Sequence, residues 1–424
     1  MEQWKKTPWG LVPSTWKIST IKEETSLVTD YVANGSFASL AENVKYTSIE
    51  DYAVLIRLVD FNNNFQGPFI FINKSAYDFL AKSKLYGNEI IISNVGANVG
   101  TVFKCPKLKW KMSLAPNSII VKFRGNNDFY YYWLKSKFGQ HMLNSIVTGS
   151  AQPKFNKTNF RDLAIPVPPI EEQKQIATIL SSLDDKIELN RRINRNLEQQ
   201  AQALFKPWFV DFEPFKNEKF VDSELGRIPE GWNIVEANHF MKISKDSINP
   251  TKNPMCLYTH YSIPAFDKAL TPEIQYGYEI KSNKFLVHSG MTLFSKLNPR
   301  IKRIWFIDEV SNNSVCSTEF IPYESLGLNY YFLYCYLNSN MFYNQAMSLV
   351  NGATGSHQRF HPNETLKFLF VYKKEIIEEF NVLMAPILKE MSKLSLETRK
   401  LTKLRDTLLP RLMSGELKID NLNR

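Results

Sequence analysis

The chain is written twice, and a duplicated chain of this length has few ways to fold. The run GLVPSTW at 10–16 returns as GRIPEGW at 226–232, so Pro13 and Trp16 answer Pro229 and Trp232 at one common offset. The turn TGSAQ at 148–152 returns as TGSHQ at 354–358, and each copy leads into a long amphipathic segment. Two copies of one unit, a globular domain followed by a helix, account for this order. Between the markers the copies have diverged strongly, as expected when one scaffold carries two different surfaces. The pattern points to two-site recognition rather than to a single active site.

At 424 residues the chain exceeds what one hydrophobic core usually supports, and a repeat of roughly 200 residues suits two domains of ordinary size. A hydrophobic content of 44% and an aromatic content of 13% are enough to fill both cores. The net charge of +10 and sequence pI near 9.1 favour an anionic partner, nucleic acid before membrane. Cys105, Cys256, Cys316 and Cys335 include no Cys-x-x-Cys pair, so neither a zinc knuckle nor a disulfide framework is indicated. No run of about 18 apolar residues occurs, and the N-terminus lacks the pattern of a secretory signal, so a cytoplasmic, soluble protein with no membrane partner is expected.

Short β-branched and aromatic runs at 89–93, 101–104 and 118–123, bounded by Gly, Asn or Pro, predict strands. The spacing at 128–138 predicts a helix with Asp128 as its N-cap. The second half repeats the recipe, with strands at 292–295 and 304–307 and an aromatic helix at 329–337. The fold class is therefore mixed α/β (α+β). The prolines at 166–169 stop the first domain, and a four-three seam follows: Ile176, Leu180, Leu183, Ile187, Asn190, Asn194, Leu197, Ala201 and Leu204. Pro207 is expected to end this rod. A second seam runs from Ile377 through Met384 and Leu394 to Leu408, with Pro386 expected to kink it. Two such rods must bury their seams against each other or against another chain, and antiparallel pairing gives a pseudo-twofold layout. The expected boundaries are a first domain at 1–165, a helix at 166–210, a linker at 211–224, a second domain at 225–373, a helix at 374–417 and a tail at 418–424.

The run IPVPPIEEQKQIATILSSLDDKI at 165–187 resembles the central conserved region of specificity subunits of type I restriction-modification systems. The run LTKLRDTLLPRLMSGEL at 401–417 resembles their distal conserved region, and the layout agrees over the whole chain. The resemblance implies two target recognition domains, each reading one half of an interrupted double-stranded DNA sequence, on antiparallel coiled-coil helices. It further implies two methyltransferase (modification) subunits and restriction/translocase subunits as partners. S-adenosylmethionine, ATP and Mg²⁺ would belong to those partners, with no cofactor on this chain. The residues agree independently: the chain has no Gly-x-Gly motif for S-adenosylmethionine, no Asp/Asn-Pro-Pro-Tyr/Phe loop and no phosphate loop. The second domain departs from the family in lacking the Pro-Val-Pro-Pro hinge, which leaves the angle between the rods open.

Polar loops are the candidate DNA contacts, because their side chains match phosphates and base edges. In the first domain these are Ser150, Gln152, Lys154, Asn156 and Lys157 of one turn, Asn94 and Asn98 of a second loop, and Lys104 of the adjacent hairpin. In the second they are Lys296, Asn298, Arg300, Lys302 and Arg303, with Ser356, His357, Gln358 and Arg359 of the repeated turn. Each turn serves either as a phosphate contact or as architecture for the adjoining helix. Two other readings compete. Asp406, Glu416 and Lys418 have the spacing of a nuclease's Mg²⁺ set, although they straddle a helix end, and His357 and His361 lack the glutamate of a zinc protease. A two-domain scaffold that binds proteins across a coiled coil, without DNA, is the other alternative.

Overall fold

The computed structural model describes residues 4–327, 329–350 and 358–418. Ser356 and His357 lie outside the described residues. The chain divides into two compact units, Met1–Asp185 with Thr402–Arg424, and Lys186–Leu401.

The first unit is built on Ile- and Val-rich strands that are buried on both faces. Ile90–Ser93 and Ser118–Phe123 pair antiparallel at the centre of a four-stranded sheet, flanked by Thr25–Asp30 and Val102–Lys104. A second four-stranded sheet contains one parallel pair, Ala53–Ile56 beside Lys111–Leu114. Two aromatic helices, Asn127–Lys135 and Lys137–Ser145, cover the first sheet. The expected single helix at 128–138 is thus two. Ser136 ends the first helix, and its hydroxyl accepts from Gly139 N to start the second. Gly139 is required there, since a Cβ would sit 2.2 Å from Trp133 O. Asn126, not Asp128, caps the first helix, by accepting from Phe129 N.

The second unit repeats this plan with one strand more in its second sheet. Phe320–Ser325 and Thr292–Ser295 are central, with Met241–Ile243 and Ile304–Phe306 at the edges. A five-stranded sheet again holds one parallel pair, Leu257–Tyr261 beside Ser314–Cys316. The helices Tyr330–Asn338 and Asn340–Ser348 meet at Ser339, which caps Phe342 N as Ser136 caps Gly139 N. The stretch 211–224, expected as a linker, is folded into this unit: Phe212 and Phe215 are buried, and Phe220–Ser223 is a strand of a hairpin.

Both long helices are continuous for 40 residues, Ile170–Phe209 and Lys374–Met413, and each contributes to both units. Pro207 does not end the first. It lies within the last turn, where it removes one backbone donor, while Phe205 and Phe209 are buried in the second unit's core and hold that turn in place. Burying an aromatic side chain of this kind contributes roughly 1.5–3 kcal/mol, enough to offset one lost hydrogen bond. The helix likewise continues through Pro386. Within the second unit the two helices run antiparallel: Asn190 Nδ2 donates to Glu397 at 2.8 Å and Asn194 Nδ2 to Ser395 Oγ at 3.0 Å. Within the first, Asp184 accepts from Tyr132 Oη at 2.9 Å and from Arg405 at 2.8 Å, tying an aromatic helix of the domain to both long helices.

Candidate nucleic-acid interface

Two loops occupy the same place in the two domains. At the base of the first, Ser93 N donates to Thr101 O at 2.9 Å, and Asn94 N donates to Asn117 O at 3.1 Å. Gly96 N then donates to Pro153 O at 2.9 Å, and Val99 N back to Gly96 O at 3.0 Å. The second loop has the same four bonds: Ser295 N to Arg303 O at 2.9 Å, Lys296 N to Glu319 O at 3.0 Å, Asn298 N to Gln358 O at 2.9 Å, and Ile301 N to Asn298 O at 2.9 Å. The turn needs a left-handed residue, which is Gly96 at φ +103° in one copy and Asn298 at φ +46° in the other. Backbone geometry is held constant and the side chains differ.

The repeated turn divides into an architectural base and an exposed tip. Thr148 and Lys154 exchange backbone bonds at 2.8 Å, and Phe155 N donates to Asn94 O at 3.1 Å. Asn94 Nδ2 donates back to Phe155 O, so Asn94 joins the two sequence-predicted loops of the first domain. Asn156 caps the helix Lys157–Arg161, and Lys157 Nζ lies 2.7 Å from the buried Asp30 carboxylate. Ser150, Gln152 and Lys154 are exposed. A cleft of about 500 Å³ lies beside this junction, lined by Tyr31, Phe37, Leu40, Tyr46, Val95 and Asn117.

Several of the expected DNA contacts are engaged within their own domain. Arg303 is 7% exposed and makes a two-point ion pair with Asp267, Nε and NH2 at 2.6 and 2.9 Å, so its guanidinium is buried and neutralised. Lys302 donates to Asn338 O, and burial pushes its pKa down to about 8, with Glu198 partly opposing the shift. Its ammonium is half-buried and engaged internally. Lys104 pairs with Asp128 at 2.9 Å over the Tyr131 ring, and Lys157 pairs with Asp30 as above, so their charges are also spent internally. Arg359 is exposed but holds Glu319 in two-point fashion at 2.9 and 3.0 Å, which raises the guanidinium pKa further. Asn298 and Gln358 meet through the backbone as scaffold.

Asn98 and Arg300 are exposed, Lys296 is half-buried, and none of the three has a side-chain partner among the described residues. Sequence reasoning missed Asn117, an exposed residue at φ +69° on the rim of the cleft. Its signal was the Pro-Asn step at 116–117 just before a strand, a turn in which asparagine accepts left-handed geometry.

The nuclease-like set is not assembled. Asp406 is held by its neighbour Arg405 at 2.7 Å and Glu416 by Arg411 at 3.2 Å. Among the described residues no three His, Cys, Asp or Glu side chains gather to hold a metal ion, and no helix is long and apolar enough to cross a membrane.

Two copies of one domain presenting different loops from one frame define a tandem recognition protein. Residues 13–199 match the type I restriction modification DNA specificity domain. The chain is 27% identical to the type I restriction enzyme MjaIX specificity subunit of Methanocaldococcus jannaschii, over 99% of this chain and 98% of that protein. It is 34% identical to the MjaVIII specificity subunit of the same organism over 37% of its length and 36% of that protein's. The crystal structure of a type I restriction-modification S subunit from M. genitalium shares the fold, with a TM-score of 0.55 at 14% identity, covering 94% of this chain and 96% of that one. Over essentially its whole length the chain is similar to the specificity subunits of type I restriction-modification systems. It is the non-catalytic, DNA-recognising member of such a complex.

Proposed function

We propose that this subunit reads a bipartite, interrupted double-stranded DNA target, one half through each domain, and holds two modification subunits together with the restriction/translocase subunits. The observation that carries this reading is the pair of loops at 93–101 and 295–303, pinned by the same backbone bonds yet exposing different side chains. The DNA-facing candidates are Asn98, Ser150, Gln152 and Lys154 in the first domain, and Lys296 and Arg300 in the second. A duplicated scaffold offers two equivalent seats, which is the reason for two modification subunits. Leu189 and Leu396 of the second unit's helical segments and Leu404 of the first unit's are exposed and supply apolar surface for them. S-adenosylmethionine, ATP and Mg²⁺ then act on the partner subunits, and the assembly works on cytoplasmic DNA.

The test is domain exchange. Residues 1–165 are replaced by the matching domain of a relative, the hybrid is co-expressed with the modification subunits, and the methylated motif is read from the host genome. One half of the motif should change while the other stays. A simultaneous change in both halves overturns the two-reader proposal.

A further inference from the structure

The internal repeat acts as its own control for which side chains are free to read DNA. Residues 94 and 296, 96 and 298, 99 and 301, and 117 and 319 are matched by the backbone bonds described above. That register sets Asn98 opposite Arg300. Both stand at the outer turn of their loops, exposed and without a side-chain partner among the described residues. Their loops are also fixed from behind by the second helix of the aromatic pair: Gln140 Nε2 donates to Gly100 O at 3.1 Å, and Tyr343 Oη donates to Arg300 O at 3.2 Å. The side chain is therefore offered from a rigid point, which lowers the ordering cost of binding.

The neighbours in each loop are ruled out by chemistry or by engagement. Ala97 and Val99 have no polar side-chain atoms, nor does the exposed Ile301. Pro299 is buried, and Lys302 and Arg303 are committed internally. Lys296 is a point charge without two-point geometry. An asparagine carboxamide matches the N6 donor and N7 acceptor of adenine, and a guanidinium matches the O6 and N7 acceptors of guanine.

We propose that Asn98 and Arg300 are the corresponding base-reading residues of the two domains, Asn98 at an A·T pair of the first domain's half-site and Arg300 at a G·C pair of the second's. This rests on the reading of the chain as a two-domain DNA reader. The test uses the full complex with its modification subunits and reads the methylated motif, each half having been assigned to its domain by the exchange above. Asn98→Ala should relax one A·T position in the first half, and Asn98→Arg should shift that position towards G·C. Arg300→Ala should relax one G·C position in the second half. Discrimination at the affected position should fall roughly 5- to 150-fold, the worth of one two-point contact.

Arg300→Lys keeps the charge but loses the fork, so it should relax the same position, and it decides the matter if the alanine variant fails to assemble. In the same way Asn98→Asp, which keeps the shape but loses the amide donor to adenine N7 and so should relax its position, stands in for Asn98→Ala. Unchanged motifs overturn the assignment, as does relaxation in the other half or at a pair of the other composition. A wild-type complex that modifies DNA without sequence preference is a different failure, because it overturns the two-reader function itself.

Discussion

Arg303 reaches Asp267 with two parallel hydrogen bonds, at 2.6 and 2.9 Å, from a strand-entry loop to a short helix 36 residues earlier in the chain. The Arg303 side chain is 8% exposed and that of Asp267 47%. One partner is therefore desolvated while the other remains wet, and the pair fixes the base of the loop that carries Arg300. A cation that looks like a phosphate contact in the sequence is a strut in the fold.

Asp267→Ala should leave the buried Arg303 without its counter-charge and destabilise the second domain by about 2 kcal/mol, the range for a hydrogen-bonded charge whose partner is removed. Urea denaturation measures this. The slope of DNA affinity against salt should stay at the wild-type value on substituting Arg303, because no phosphate contact is lost. A slope flattened by about one unit with stability unchanged would return Arg303 to the DNA surface.

Lys302 supplies a pH test. Its folded pKa is about 8, lowered from the ordinary lysine value of 10.5 first by burial, so between those values the unfolded chain binds more protons than the folded one. Stability attributable to Lys302 therefore rises as pH climbs from 8 towards 10.5, and below pH 8 the folded state bears the cost of an ammonium taken out of water. Lys302→Met abolishes that dependence. Thermal melts of the two proteins across pH 7 to 10.5 should show the wild type gaining on the variant above pH 8. A constant gap at all pH values would mean that Lys302 is solvated.

The sequence placed strands well where β-branched runs were bounded by turn residues: Ser118–Phe123 has the expected limits, and Thr292–Ser295 does too. The seams were legible because period and burial coincide, with Ile176, Leu180, Ile187 and Ala201 all buried. Helix ends were less so. Ser136 and Ser339 each end one helix and start another, a double role that composition does not announce. The largest misreading was electrostatic. Charge is visible in a sequence, but whether a lysine faces solvent, Asn338 O or a carboxylate depends on contacts from distant segments. Hence the internal partners of Lys302 and Arg303 were not legible, and neither was Asn117, whose carbonyl holds Asn94.

The long helices supply the last prediction. Forty continuous residues span about 60 Å at ~1.5 Å per residue, and the boundary between the compact units falls inside both helices. Under the proposed function, helix length then sets the spacer between half-sites. Four residues inserted near Asn194 add about 6 Å, equivalent to roughly two base pairs of a duplex that rises ~34 Å per turn. The insertion also rotates the seam by about 40°, so Asn190 and Asn194 would re-pair with Glu397 and Ser395 at some loss of stability. The methylated motif of the insertion variant should show both half-sites intact and a spacer longer by about one or two base pairs. An unchanged spacer in a stably assembled complex would show that the partner subunits, not these helices, set the distance.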